Sequence, residues 1–245
     1  MLLEAHKVSK RFGAFTAVAE ADLAVEAGEI IGLIGPNGAG KSTFFNCLTG
    51  DYAPTAGVIT FDGTDVTNAP AERHARLGIA RTYQVPATFE DMTVLENVMV
   101  GSFLRHPHRG AARDAALAVI ELTEMQDQRH VRARTLGTPG RKRLEIARAM
   151  ATEPRLLLLD EALAGLTPGE IQRAMELVRK IHSTGITLVI VEHIMEVILT
   201  LAQRVLVFNQ GRVIASGKPD DVVRDEQVIE AYLGRRKAHR GGGNA

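Results

Sequence analysis

The chain has 245 residues, enough for one large α/β domain or for a core with an inserted subdomain. Its 29 basic residues balance its 29 acidic ones, and it has no Trp; no bulk field or stacking platform favours nucleic acid. The single cysteine, Cys47, excludes an internal disulfide, and no run reaches the roughly 20 apolar residues of a membrane span, so a membrane role must come through a partner.

In chain order, Leu2–Val8 and Thr16–Val25 alternate apolar with polar residues, the pattern of a half-exposed antiparallel sheet. Glu4 stands where an export signal would be positive or apolar. Residues 29–34 (EIIGLI) form a short buried strand, followed by GPNGAGKST at 35–43 and a helix over 42–48. Cys47 falls in that helix as a small buried residue. Residues 58–61 (VITF) followed by Asp62-Gly63 signal a hairpin, and IARTYQ at 79–84 predicts a strand ending at Gln84.

From about 86 to 152 the apolar spacing turns helical, over Val94–Phe103, Arg113–Met125 and about Arg141–Met150, which predicts a helical insertion. His106 and His108 lie in a loop with no further ligand at metal spacing, so a solvated loop is expected there. Arg155–Leu159 and Ile186–Val191 are buried-strand runs separated by an amphipathic helix over Ile171–His182; strand, helix, strand implies parallel βαβ units. A helix over 194–201 and a hairpin around Asn209-Gln-Gly211 follow, with short helices to about Leu233. The basic, glycine-rich segment 235–245 is expected to be disordered.

Four stations carry chemistry. Gly35-x4-Gly40-Lys41-Ser42 is a phosphate-binding loop: its glycines bring backbone N–H groups to phosphate oxygens, and the following helix turns its N-terminus to the anion. Lys41 supplies charge for the β- and γ-phosphates, and the Ser42 hydroxyl is placed for Mg²⁺. LLLLDE at 156–161 delivers Asp160, suited to Mg²⁺, and Glu161, able to orient or deprotonate an attacking water, at a strand's C-terminal edge. Gln84 could reach Mg²⁺ and the lytic water, and His193 the γ-phosphate.

These stations, in this order and spacing, resemble the nucleotide-binding subunit of an ABC transporter over residues 2 to about 234, with GLTP at 165–168 between the third and fourth. The resemblance implies a P-loop NTPase of α/β class: a RecA-like core, an antiparallel β subdomain and the helical subdomain inserted at about 86–152. It also implies ATP and Mg²⁺ as ligands, bound by Gly35, Pro36, Asn37, Gly38, Ala39, Gly40, Lys41, Ser42 and Thr43, with Phe12 stacking on adenine. Two such chains would pair head-to-tail around two ATPs and drive two transmembrane permease subunits, with a solute-binding protein beyond them. The chain would then lie peripherally on the cytoplasmic face of the inner membrane, docking through the segment with Pro86, Phe89 and Met92. FNCLTGDYAPTAGVITFDG, GIARTYQ, MTVLENVMVG, RLEIARAM and VIEAYLG are similar to importers of branched-chain and other hydrophobic amino acids or related amides. The lipopolysaccharide-export ATPase is a near relative, distinguished by a YLPQ-like segment where this chain has RTYQ.

The chain departs from that pattern at its signature. In place of LSGGQ it has Leu136-Gly137-Thr138-Pro139-Gly140. In the family this segment grips the γ-phosphate bound by the opposing chain. Pro139 has no N–H and fixes φ, so it deletes a donor and is expected to reshape the loop. A weak signature, with one fast site in a heterodimer or an ATP-sensing role, is the reading this departure raises. Ala162 stands where proline usually follows the glutamate, and Thr167 where Asp or Asn is common.

Overall fold

The computed structural model describes residues 1–237. Strands β1 (Leu3–Phe12) and β2 (Phe15–Val25) form a hairpin, and β4 (Ala56–Phe61) and β5 (Thr64–Asp65) complete an antiparallel sheet in the order β2-β1-β4-β5. The second sheet runs β10-β9-β3-β8-β7-β6, from β3 (Ile30–Ile34), β6 (Ile79–Arg81), β7 (Leu156–Asp160), β8 (Thr187–Val191), β9 (Arg204–Asn209) and β10 (Arg212–Gly217). All its neighbours are parallel except the edge pair β9–β10.

The parallel strands are buried on both faces because alternate residues feed two cores. Ile31, Leu33, Leu156, Leu158, Val189, Val191, Leu206 and Phe208 pack with helix α1 (Lys41–Leu48) and the antiparallel sheet. Ile30, Ile34, Leu157, Leu159, Leu188, Ile190, Val205 and Val207 pack on the other side with helices α6 (Pro168–Ser183) and α7 (Met195–Leu201). Each fully buried aliphatic side chain contributes roughly 1.5–3 kcal/mol, so the strand ends that carry the chemistry are set in a stiff frame.

A third core joins α3 (Val94–Ser102), α4 (Arg109–Leu122) and α5 (Thr138–Met150). These three helices occupy the stretch read as a helical insertion. At the start of α3, Thr93 forms a capping box with Glu96 and bridges to Arg132, in the segment between α4 and α5. The remaining helices are α2 (Ala71–Leu77), α8 (Pro219–Val222) and α9 (Glu226–Lys237).

Several boundaries differ from the sequence reading. β6 stops at Arg81, so Gln84 lies in the loop beyond it rather than on the strand. α4 begins at Arg109, inside the segment read as a histidine loop, and α2 had no counterpart in the reading. α5 begins at Thr138, three residues earlier than expected, with Pro139 in its first turn. There the missing N–H breaks no intrahelical bond and the fixed φ suits the helix, so Pro139 opens α5 instead of disrupting it. α9 takes in the first three residues of the expected tail; 238–245 lie outside the described residues.

Candidate active site

The phosphate loop leaves β3 at Ile34 through backbone that side chains resist. Gly35 has φ +146°, and a Cβ there would sit 2.1 Å from the Phe208 carbonyl oxygen. Gly40, the N-cap of α1, has φ +103°, and its Cβ would sit 2.4 Å from the Ala17 carbonyl oxygen. Both positions accept only glycine. Between them the loop curls back, Ala39 N–H donating to the Pro36 carbonyl at 3.1 Å. The buried Lys41 donates from Nζ to the carbonyls of Gly35 (2.7 Å) and Pro36 (3.1 Å). Burial lowers its pKa, with Glu161 and Asp160 acting in the opposite direction.

The loop opens onto a cavity of about 690 Å³ lined by residues 37–43 together with Phe15, Ala17, Gln84, Glu161 and His193. All four stations read from sequence thus reach one wall, through the loop, Gln84, Glu161 and His193; of the carboxylate pair, only Glu161 lines it. Its neighbour Asp160 is buried at the end of β7, its backbone N–H held by Thr82 Oγ1 at 3.1 Å. Burial raises the pKa of Asp160, and Arg81 is the largest influence lowering it.

Glu161 is the most constrained member. Its φ of +47° lies in the left-handed region, unusual for a residue that is not glycine, Asn or Asp. Its N–H donates to the Val191 carbonyl at 2.9 Å, and its own carbonyl accepts from Lys142 Nζ at 2.9 Å. The carboxylate is held on both oxygens: Gln84 Nε2 donates to Oε2 at 2.7 Å, and His193 Nε2 lies 2.7 Å from Oε1. Because Nε2 of Gln84 faces Glu161, the amide oxygen is the atom left for a metal. The Ser42 hydroxyl, Gln84 amide oxygen and Asp160 carboxylate are hard oxygen donors of the kind that suits Mg²⁺ shared with phosphates. Among the described residues no cluster of three or more His, Cys, Asp or Glu could hold a metal by itself.

Phe12 and Phe15 close the β1–β2 hairpin opposite each other. The Phe12 ring meets Tyr52 edge-on at 5.5 Å, while Phe15 lines the cavity and is 66% exposed. The signature residues Pro139 and Gly140 line another cavity, of about 210 Å³, with Lys142, Glu170 and Arg173. They do not contribute to the wall around Lys41 and Glu161 within the same chain.

Sequence reasoning missed Lys142, Arg81, Phe15 and Glu192. Lys142 lies one turn into α5; burial lowers its pKa, while Glu192, Glu145 and Glu161 raise it. Glu192 is buried, and its Oε1 accepts the Leu163 N–H at 2.8 Å, shaping the turn after Glu161. Only Arg81 carried a signal, as a charge inside RTYQ at the end of an apolar strand.

A glycine loop at one strand end, with an aspartate, a glutamate and a histidine at the ends of the next two, defines a P-loop nucleotide-binding cassette. The ABC transporter family matches residues 18–164, and a second family, branched-chain amino acid ATP-binding cassette transporter, matches residues 212–238. The chain is 38% identical to the high-affinity branched-chain amino acid transport ATP-binding protein BraF of Pseudomonas aeruginosa, over 95% of this chain and 98% of that one. It is 37% identical to LivG of Escherichia coli K12 over the same shares, and 32% identical to the lipopolysaccharide export ATP-binding protein LptB of Acidithiobacillus ferridurans over 95% and 97%. Two crystal structures of an ATP-binding cassette from an ABC transporter superpose with TM-scores of 0.87 (nucleotide-free) and 0.86 (ADP conformation). Their sequences are 29% and 30% identical, over 95% of this chain and 99% and 98% of theirs. The chain belongs to the ABC transporter family, as an ATP-binding subunit similar to those of branched-chain amino acid transporters.

Proposed function

We propose that this chain hydrolyses ATP to drive an importer of branched-chain or other hydrophobic amino acids or related amides. The observation that carries the chemistry is the doubly held Glu161 carboxylate facing the phosphate-loop cavity. Residues 35–43 bind the phosphates through backbone N–H groups and Lys41. Ser42, Gln84 and Asp160 would hold Mg²⁺, which when bound neutralises phosphate charge. Glu161 orients a water for in-line attack on the γ-phosphorus and takes up its proton, while Gln84 and His193 fix the carboxylate's direction. Lys41 and His193 offset the charge that develops on the transferring group.

Several further assignments belong to this reading. The chain acts as a single cassette over residues 1–234, with the helical subdomain at about 86–152. Its signature, residues 137–140, serves the ATP bound by a second cassette, which accords with its separation from this chain's own loop. Two permease subunits dock near Pro86, Phe89 and Met92, placing the chain on the cytoplasmic face of the membrane. No helix among the described residues is long and apolar enough to cross a bilayer. The match over 212–238 and the higher identity to BraF and LivG support amino-acid import over lipopolysaccharide export. The test is affinity purification of the tagged chain from membranes, followed by ATPase assay of the captured complex. Recovery of a second cassette, two permeases and a solute-binding protein, with turnover, supports the proposal; recovery of a lipid-export assembly overturns the import assignment.

A further inference from the structure

Arg81 makes contacts that the chemistry above does not use. Its side chain is only 10% exposed, and its guanidinium is shared between two carboxylates. Nη2 donates to Asp160 Oδ2 at 3.0 Å; Nη1 donates to Asp51 Oδ2 at 2.7 Å and to Asn46 Oδ1 at 2.5 Å. Nε donates to the Thr82 carbonyl at 3.2 Å. It also lies over two aromatic rings, with Cζ 5.2 Å from the centroid of Phe45 and 4.4 Å from that of Tyr83. A planar fork bonded through its donors and packed on aromatic rings has little freedom to move.

That position fixes Asp160. With Oδ2 engaged by Arg81 and the backbone N–H held by Thr82, the carboxylate cannot rotate freely, and Oδ1 is the oxygen left to meet a cation. Asn46 and Asp51 come from α1 and the turn after it, the same helix whose first turn carries Lys41 and Ser42. Arg81 therefore ties both ends of the metal site, the hydroxyl on α1 and the carboxylate on β7, to one rigid group. Outer partners that orient metal ligands commonly affect metal affinity about 10–100-fold when removed.

We infer that Arg81 is a positioning residue that orients Asp160 for the divalent cation accompanying the nucleotide. This rests on reading the site as one for Mg²⁺ and ATP. Tyr83 and Arg81 itself also line a cleft of about 340 Å³ between β6 and the helical subdomain. Displacement of Tyr83 by a partner would therefore bear on Asp160 through Arg81.

The test measures binding of a fluorescent ATP analogue to the full-length wild type, R81Q and R81K, in EDTA and across a Mg²⁺ titration. Wild-type binding that tightens with Mg²⁺ upholds the underlying reading; failure to bind in either condition overturns that reading independently of Arg81. For R81Q the expected result is a 10–100-fold rise in the Mg²⁺ concentration giving half-maximal tightening, with affinity in EDTA within twofold of wild type. R81K keeps the charge but loses the fork, so its requirement should rise by a smaller factor, and it decides the question alone should R81Q fail to fold. An unchanged Mg²⁺ requirement in R81K, or loss of affinity in EDTA parallel to that in Mg²⁺, overturns the inference.

Discussion

Pro139 stands at the second position of α5, where a backbone N–H points out of the helix N-terminus. Gly137 caps that helix without a side-chain hydrogen bond, which leaves the first backbone donors of the helix open to an anion. Replacing Pro139 with Ala adds one donor and leaves the helix start in place. A hydrogen bond to a charged group is worth about 1.5–3 kcal/mol. Taking the lower end for a site at an interface, the signature-side ATP should be hydrolysed about tenfold faster. The opposing effect is small: losing a compatible proline costs about 0.4–1 kcal/mol, a fall of roughly 1–4 °C in Tm for a domain of this size. The single change is preferable to rebuilding all four residues, since a Cβ at Gly140 would meet Leu136 Cβ at 3.3 Å. The assay is steady-state ATPase of the assembled transporter with wild-type or P139A cassette, with Tm measured alongside. A rate within twofold of wild type, at a Tm showing an intact fold, would refute the claim that the missing donor limits this site.

Three further outcomes follow from particular contacts. Gly40→Ala would place a Cβ 2.4 Å from the Ala17 carbonyl oxygen at φ +103°, so ATP binding measured by calorimetry should be abolished while the two-sheet fold, followed by circular dichroism, persists. Phe15→Ala should weaken ATP binding more than Phe12→Ala, since Phe15 lines the cavity and Phe12 packs on Tyr52; competition with a triphosphate lacking the base isolates the stacking contribution. Burial pushes the Cys47 thiol up to about 11, so at pH 8 only about one thiol in a thousand is ionised, and alkylation should be negligible until denaturant is added. The sign for stability follows: the unfolded thiol loses its proton first, so the chain loses stability as pH rises from 9 toward about 11.

The phosphate loop, the Asp160-Glu161 pair and the βαβ order were legible because each couples a local pattern to chemistry: glycines at fixed spacing, carboxylates after an apolar run, period changes along the chain. The boundaries that moved are those where one residue's preference was taken for the segment's. Pro139 suggested a broken loop, yet at a helix start its restrictions match what the backbone needs. Gln84 was placed on a strand because IARTYQ is continuous in β propensity; pairing with β7 ends at Arg81. Lys142 and Phe15 were not legible, and Arg81 only as a charge after an apolar run, because their roles arise from tertiary meetings. Lys142 reaches a carbonyl 19 residues away and Arg81 a carboxylate 79 away, and no periodicity encodes such meetings. For the aromatic ring, residue type pointed to the hairpin, but strand register decided which of its two phenylalanines faces the cavity.

The most direct test of the central claim is Glu161→Gln, which keeps the shape of the side chain and removes its capacity to take a proton. Single-turnover hydrolysis and Mg²⁺-ATP binding should be measured on the same preparation, since general base action typically contributes about 10²–10⁴-fold to rate. The account predicts hydrolysis reduced by that order with ATP affinity within a few-fold of wild type. Hydrolysis at the wild-type rate would contradict it.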